Sequence, residues 1–345
     1  MRKSSRRLNE KRERNIRRLN IFNYIIIFII CLIISCGGKM SKEVTPFYIK
    51  ISGPMADRKQ EISGMDWYEN NLFLLPENLN GYVFLINKSD LDSRINKTDT
   101  SAITPQKIKF NTPDYKKTLP GFDSFEAIAF RGYEVYISIE IRFKDDMGCV
   151  LARGHIDEET LEITIPEQTL IPFKVPTFVD NMSYESLVIK KNRVYALFEA
   201  NGDSLIENPY VLSVNVSGKN IKKHPTSSIN YRIADATRID QYNRFWAINY
   251  HYPGDKQTLK PSKDLMISRY GEGPTHSKSE RVERLVEYKI NKNRVILTGN
   301  PHIELELEGE KTSRKWEALA RYGNKGFLIA TDKYPTTILA YVSID

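Results

Sequence analysis

The chain has 345 residues, of which 51 are Lys or Arg and 43 are Asp or Glu, so its formal net charge is +8. The excess sits at the start, because the first 35 residues hold nine basic and two acidic side chains and the remainder holds 42 and 41. The body alone is therefore close to neutral, which excludes a bulk electrostatic argument for nucleic-acid binding, and we expect no nucleic-acid partner.

The N-terminal segment has the pattern of a secretory signal. A basic stretch over residues 1–20 precedes eleven apolar residues, Tyr24–Ile34, and then Ser35 and Cys36. Eleven residues are too few for a transmembrane helix, which needs about 20, whereas a charged region, a short apolar region and a small residue are typical of a cleaved signal. We predict a signal peptide over 1–35 and a tether over 36–45, with an uncleaved anchor as the alternative.

The segment Ile33-Ile34-Ser35-Cys36 also resembles the bacterial lipobox. The resemblance implies that Cys36 is lipidated and becomes the first mature residue, which would hold the protein on a membrane of the cell envelope through acyl chains. Gly37 after the cysteine resembles the outer-membrane sorting pattern. Cys149, the one remaining cysteine, is expected to be a buried and inert thiol.

Within residues 46–345, a short phrase returns five times, each time followed by a turn and a second apolar run. The five copies are Ile62–Asp66, Phe125–Ala129, Tyr184–Val188, Ala236–Asp240 and Trp316–Ala320. Their period of 52 to 80 residues, built from strand-like runs, predicts an all-β repeat fold, a β-propeller.

Each phrase opens a set of apolar, partly alternating runs that we predict as the strands of one blade. In chain order the predicted strands are 64–68, 72–75, 82–87 and 107–110; 125–130, 134–140, 149–155 and 160–171; 185–190, 193–199, 210–216 and a fourth around 230–233; the fourth phrase, with 280–290 and 294–297; and 317–322, 327–331 and 337–343.

The last blade lacks one strand, and Phe47–Ile51 alternates cleanly at the other end of the body. Pairing the two termini would close the ring and remove an exposed sheet edge. We therefore predict five blades with an N-terminal strand that completes the last one. Six blades are the alternative, because the 80 residues between Thr237 and Glu317 have room for a degenerate blade.

The second residue of each phrase is polar and should lie at one mouth of the central channel. These residues are Ser63, Glu126, Glu185, Thr237 and Glu317. The second strands run back to the same face and would bring Glu77, Glu140, Glu199, His251 and Asp332 there. Carboxylate and hydroxyl oxygens suit Ca2+ or Mg2+, so a central Ca2+ site on the first set is expected. The alternative is a packing role, in which each Glu bonds backbone amides of the next blade.

The order Ser, Glu, Glu, Thr, Glu over these five positions resembles the axial calcium site of the calcium-activated nucleotidase (apyrase) family. The phrase is also similar to repeats of phytase-like and lactonase-like propellers. We expect a lipid-anchored binding module whose channel face recognises a protein or small-molecule ligand. The alternative is a metal-dependent hydrolase of phosphoesters or lactones in which Glu140, Glu199 or His251 activates water.

Overall fold

The computed structural model describes residues 40–77, 81–309 and 313–344. The predicted signal peptide and the predicted lipidation at Cys36 lie outside these ranges. In the described part of the chain, no helix is long and apolar enough to cross a membrane.

The body is built from five antiparallel groups of strands, and in four of them the first strand contains one of the returning phrases. The first group contains β3 (Ile62–Tyr68), β4 (Asn71–Pro76), β5 (Tyr82–Asn87) and β6 (Gln106–Asn111). The second contains β7 (Phe122–Arg131), β8 (Glu134–Phe143), β9 (Asp146–Ile156), β10 (Ile163–Thr164) and β11 (Leu170–Lys174). A parallel pairing of β10 with β6 joins these two groups into one nine-stranded sheet.

Three more groups follow along the chain. The third contains β12 (Tyr184–Lys190), β13 (Arg193–Phe198), β14 (Tyr210–Asn215) and β15 (Lys222–Pro225). The fourth contains β16 (Arg232–Ala236), β17 (Arg244–His251), β18 (Val282–Asn291), β19 (Arg294–Leu297) and β20 (Ile303–Leu305). The fifth contains β21 (Trp316–Tyr322), β22 (Gly326–Thr331) and β23 (Leu339–Ser343).

Short helices occupy connections between strands. They are α1 (Lys88–Ile95), α2 (Tyr115–Thr118), α3 (Lys256–Leu259) and α4 (Leu265–Tyr270). The last two lie in the long connection between β17 and β18, which the sequence marks as a loop. Asp264 caps α4 by accepting hydrogen bonds from the backbone N–H groups of Met266 and Ile267.

The N-terminal part of the body completes two of the groups. The strand β2 (Phe47–Ile49) pairs antiparallel with β23, with Phe47 opposite Tyr341, so the predicted closure of the last blade by the N-terminal strand is confirmed. The strand β1 (Lys42–Val44) pairs in parallel with β20. The sheet structure thus begins at Lys42, before the predicted body boundary at 46.

Hydrophobic cores lie between neighbouring groups all the way round. Separate clusters join the first group to the second, the second to the third, the third to the fourth and the fourth to the fifth. A further cluster, with Met65 and Leu74 on one side and Ala318 and Leu328 on the other, joins the fifth group to the first. Each group therefore buries both faces of its sheet on its two neighbours, and the predicted β-propeller is confirmed. The described strands form five such groups, and the number of blades, five with six as the alternative, stays a prediction.

One predicted strand is in the wrong place. The fourth strand of the third group is β15 (Lys222–Pro225), which pairs with β14, whereas residues 230–233 lead into β16 of the next group. The short run Lys222–Pro225 has little apolar periodicity, since only His224 is buried, so the hydrophobic pattern does not reveal it.

Candidate active site

In four of the five phrases, the second residue is the extra residue of a β-bulge. The cross-strand register skips Ser63, Glu126, Glu185 and Glu317 in the first, second, third and fifth groups. A bulge residue has no partner on the facing strand, and the local kink redirects its side chain. This repeated bulge explains why a polar residue is tolerated near the start of a mostly buried inner strand.

In the fourth group the bulge lies elsewhere than the sequence suggests. The register is interrupted between Ile233 and Ala236, so Ala234 and Asp235, not Thr237, stand at the bulge. Tyr250 pairs with Arg232 and takes the place that His251 was expected to have. The register skips two residues at this bulge and one in each of the other groups, and the phrase was aligned three residues too far along the chain.

The carboxyl groups of Glu126, Glu140 and Glu185 come together in what we call the first triad. One oxygen from each lies within 4.8 Å of the other two, and all three side chains are buried. Burial, and then the charge of Glu126, raises the pKa of Glu140 to about 10. The pKa of Glu185 is raised for the same two reasons. Burial and mutual repulsion therefore favour the protonated forms of these two groups.

A second triad, Glu77, Glu317 and Asp332, lies on the other side of the channel with oxygens again within 4.8 Å. The ammonium group of Lys315 stands 2.8 Å from Glu317 Oε1 and 3.0 Å from Asp332 Oδ2. Burial raises the pKa of Glu317 to about 7, although the nearby Lys315 charge lowers it. The second triad therefore carries its own cation.

The hydroxyl groups of Ser63 and Thr237 belong to neither triad. Ser63 Oγ donates to the carbonyl oxygens of Phe125 (2.7 Å) and Leu75 (3.3 Å). Thr237 Oγ1 donates to the carbonyl of Arg238 and accepts from the backbone N–H of Trp246. Both hydroxyl groups thus bond to backbone groups. Of the five residues predicted for the metal site, only Glu126, Glu185 and Glu317 lie next to other carboxylates, and they lie in two separate triads.

An acidic cavity of about 270 Å³ opens between the two triads. Seven acidic and four basic side chains line it, together with Ser124 and Asn181. The charged residues are Glu61, Glu77, Asp123, Glu126, Glu185, Glu199 and Glu317, and Arg142, Arg232, Lys315 and Lys333.

Sequence reasoning missed two of these cations, Arg232 and Lys315, although they stand at a repeat position. Each lies two residues before the bulge of its group, as do Glu61 and Ser124. Reading this position across the five phrases would have found Lys315, but the misaligned fourth phrase has Asp235 there, so Arg232 would still have been missed.

Glu199 is held by one of these cations. It follows β13 and is only 2% exposed, and its Oε1 atom accepts a 2.6 Å hydrogen bond from Arg232. Its other oxygen, Oε2, has no hydrogen-bond partner among the described residues. Burial raises the pKa of Glu199, and the Arg232 charge opposes that effect.

His251, the third residue that we considered for water activation, lies in a different cavity. Its ring stacks on Tyr231 with the centroids 4.7 Å apart, and the pair lines a separate space of about 180 Å³ beside the β17–β18 connection. Burial lowers the pKa of His251. Of the three candidates, the structure places Glu199 in the acidic cavity and Glu140 in the first triad beside it.

A larger cavity of about 530 Å³, which we call the tyrosine cavity, adjoins the acidic one and shares Arg232 and Lys315 with it. Its other lining residues are Tyr250, Tyr252, Asp255, Ser313, Tyr334 and Pro335. Tyr250 donates a 3.4 Å hydrogen bond to Glu317 Oε1, so the two cavities meet at the second triad.

Several solved structures with a similar fold are named as glycoside hydrolases, and one is named as a glucose dehydrogenase. A GH32 β-fructofuranosidase from Bombyx mori, solved with sucrose, gives a TM-score of 0.50 at 10% identity over 89% of this chain and 64% of that chain. A GH43 endo-arabinanase from Bacillus licheniformis gives 0.48 at 8% identity over 86% and 96% of the two chains. An exo-β-1,3-galactanase from Phanerochaete chrysosporium gives 0.45 at 8% identity over 88% and 64%.

At these identities the likeness shows the fold. No protein-family model matches the chain, and no curated protein matches it. Our expectation of a binding module, with a phosphoester or lactone hydrolase as the alternative, is corrected by these comparisons, because the similar structure with a TM-score of 0.50 is named as a GH32 β-fructofuranosidase.

Proposed function

We propose that the protein hydrolyses glycosidic bonds in the acidic cavity, with Glu317 as the general acid and Glu199 as its carboxylate partner. The observation that carries this proposal is the pair itself: two buried carboxyl groups with different partners at the place where the two cavities meet. Glycosidases need one protonated carboxyl group to donate to the leaving oxygen and one ionised carboxylate on the other side of the bond.

Glu317 suits the acid role. A general acid works best when its pKa lies near the operating pH, and the pKa of Glu317 is raised to about 7, chiefly by burial. Lys315 and Tyr250 both bind Glu317 Oε1. A proton on its free oxygen would be donated to the glycosidic oxygen as the bond to the anomeric carbon breaks.

Glu199 suits the second role because Arg232 binds one of its oxygens and leaves the other free. The guanidinium charge offsets part of the effect of burial on this carboxyl group, and Oε2, which has no partner among the described residues, would attack the anomeric carbon or take a proton from water. Attack on the carbon would give retention of the anomeric configuration, and activation of water would give inversion.

The test is hydrolysis of a panel of aryl glycosides and neutral oligosaccharides by the purified full-length protein, with the anomer of the first product read by NMR. Glu199→Gln and Glu317→Gln should each lower kcat by at least about 100-fold. For Glu317→Gln, the loss should be smaller on substrates whose leaving group needs no proton.

The matched control is Glu158→Gln, which removes an exposed carboxylate in the turn after β9 and should keep full activity. Unchanged melting temperatures would show that the variants fold. The proposal fails if no glycoside in the panel is cleaved, or if Glu199→Gln retains the wild-type rate.

A bound Ca2+ remains a proposal, and the first triad is where it fits. Calcium prefers oxygen ligands, and the first triad offers three buried carboxyl groups within 4.8 Å of one another. The second triad fits less well because Lys315 already lies against Glu317 and Asp332. An ion there would supply positive charge that holds Glu126, Glu140 and Glu185 in place.

We also propose that the protein is anchored to the bacterial envelope by lipid on Cys36, at the outer membrane. The support is the lipobox-like segment and the short apolar run before it. Replacing Cys36 by Ala should release the protein from the membrane fraction of expressing cells, and a Cys36→Ala protein that still partitions with membranes would contradict the anchor.

A further inference from the structure

The tyrosine cavity has the size and position of a second sugar-binding subsite. At about 530 Å³ it falls within the range of small-molecule sites, about 300–1,000 Å³. It shares two lining residues with the acidic cavity, and Tyr250 bonds directly to Glu317. A molecule whose bond is cleaved at Glu317 would therefore extend into it.

Its surface combines exposed rings with polar groups. Tyr252 and Tyr334 are 53% and 50% exposed, and Pro335 lies beside them. Such rings can pack on the apolar face of a sugar, while their hydroxyl groups remain in water. The Ser313 hydroxyl is buried and has no partner among the described residues, so it is available to a sugar hydroxyl group.

The charges of this cavity are already neutralised within the protein. Arg232 binds Glu199 at 2.6 Å and Asp255 at 2.7 Å, and Lys315 binds Glu317 and Asp332. Neither cation is left to bind a carboxylate or phosphate of a ligand. An uncharged ligand is therefore favoured over a uronate or a sugar phosphate.

We propose that the tyrosine cavity binds a second, uncharged sugar ring, so that the substrate is a neutral oligosaccharide that spans both cavities. This inference rests on the proposed glycosidase function, since it names the substrate class of that same site. The ring in the acidic cavity is cleaved from the ring that packs on Tyr252 and Tyr334.

Binding can be measured without turnover in the full-length Glu317→Gln protein. The probes are arabino-, fructo-, galacto- and gluco-oligosaccharides of one to four sugars, with galacturonate oligomers as the charged comparison, titrated by calorimetry. For at least one neutral series, affinity should rise about tenfold or more from one sugar to two. Galacturonate oligomers should bind more weakly than the neutral series of equal length.

In the same background, Tyr252→Ala and Tyr334→Ala should each weaken binding of the disaccharide by about threefold to tenfold. Tyr133→Ala is the matched control, because Tyr133 is an exposed tyrosine in the turn between β7 and β8 and lines neither cavity. Its affinity should equal that of the parent variant.

The outcomes separate this inference from the proposed activity. If aryl glycosides are hydrolysed but neither affinity nor KM improves with a second sugar, the subsite is wrong and the activity stands. If neutral disaccharides bind through Tyr252 and Tyr334 but no glycoside is cleaved, the subsite stands and the activity is wrong. Tighter binding of galacturonate oligomers than of neutral ones would overturn the choice of an uncharged ligand.

Discussion

Replacing Glu317 by Gln should make the stability of the protein less sensitive to pH. The pKa of Glu317 is about 7 in the folded protein, against 4.5 for an ordinary glutamate, so the folded state binds this proton more tightly than the unfolded state. The stabilisation is complete below pH 4.5 and is lost as the pH rises through 7.

The size of the effect follows from the two pKa values. The difference between 4.5 and about 7 corresponds to about 3 kcal/mol of unfolding free energy between pH 4 and pH 8. For a body of this size the change amounts to about 5 °C in melting temperature. Glutamine cannot ionise but can still accept a hydrogen bond from Lys315. The unfolding free energy of the variant should therefore not fall by this amount between pH 4 and pH 8.

The assay is thermal unfolding of wild type, Glu317→Gln and the surface control Glu158→Gln at intervals from pH 4 to pH 8. Glu317→Gln should gain about 5 °C relative to wild type over this range, and Glu158→Gln should follow wild type throughout. If the difference between wild type and Glu317→Gln is the same at pH 4 and at pH 8, Glu317 does not have a raised pKa and the reasoning is refuted.

Three further predictions concern the channel and its walls. Asp235→Ala should cost about 3 kcal/mol of unfolding free energy, measured by urea unfolding. The buried Asp235 side chain accepts 2.7 Å hydrogen bonds from two backbone N–H groups, which would lose their partner. The control Asp203→Ala, at an exposed position, should leave the urea midpoint unchanged. Gly326→Ala should destabilise by about 1–3 kcal/mol, since its Cβ would lie 2.0 Å from the Val342 carbonyl oxygen, whereas Gly299→Ala meets no atom within 4 Å and should melt like wild type. Calcium at 100 times its Kd should raise stability by about 2.7 kcal/mol and EDTA should reverse the gain; a melting temperature that responds to neither would remove the ion from the first triad.

Several features of the fold could be predicted from the sequence because they depend on local pattern. The five phrases, the turns behind them and the alternation in Tyr82–Asn87 locate most strands to within a few residues. Closure by Phe47–Ile49 could also be predicted, since a ring that lacks one strand at its end needs that strand from its beginning.

The composition of the site could be predicted only in part. Glu126, Glu185 and Glu317 were found because each occupies the bulge position of its phrase. The fourth group departs from the others because the register skips two residues at its bulge, and Thr237 and His251 were aligned where the structure has Ala234 and Tyr250. A pattern of single residues cannot detect such a shift, because the position of a bulge depends on which residues pair across the two strands.

By itself, the sequence determined that this protein is an all-β repeat fold with carboxylates directed at one channel, because strand periodicity and phrase spacing are local properties. Only the tertiary structure decided that the carboxylates separate into two triads. It also decided that Lys315 pairs with Glu317 and Arg232 with Glu199, and that tyrosines from the fourth and fifth groups form a cavity next to Glu317. The physical reason is that charge balance and cavity shape arise between strand groups that are distant in the chain, such as those of Glu77 and Glu317, where only the packing of the ring sets the distances.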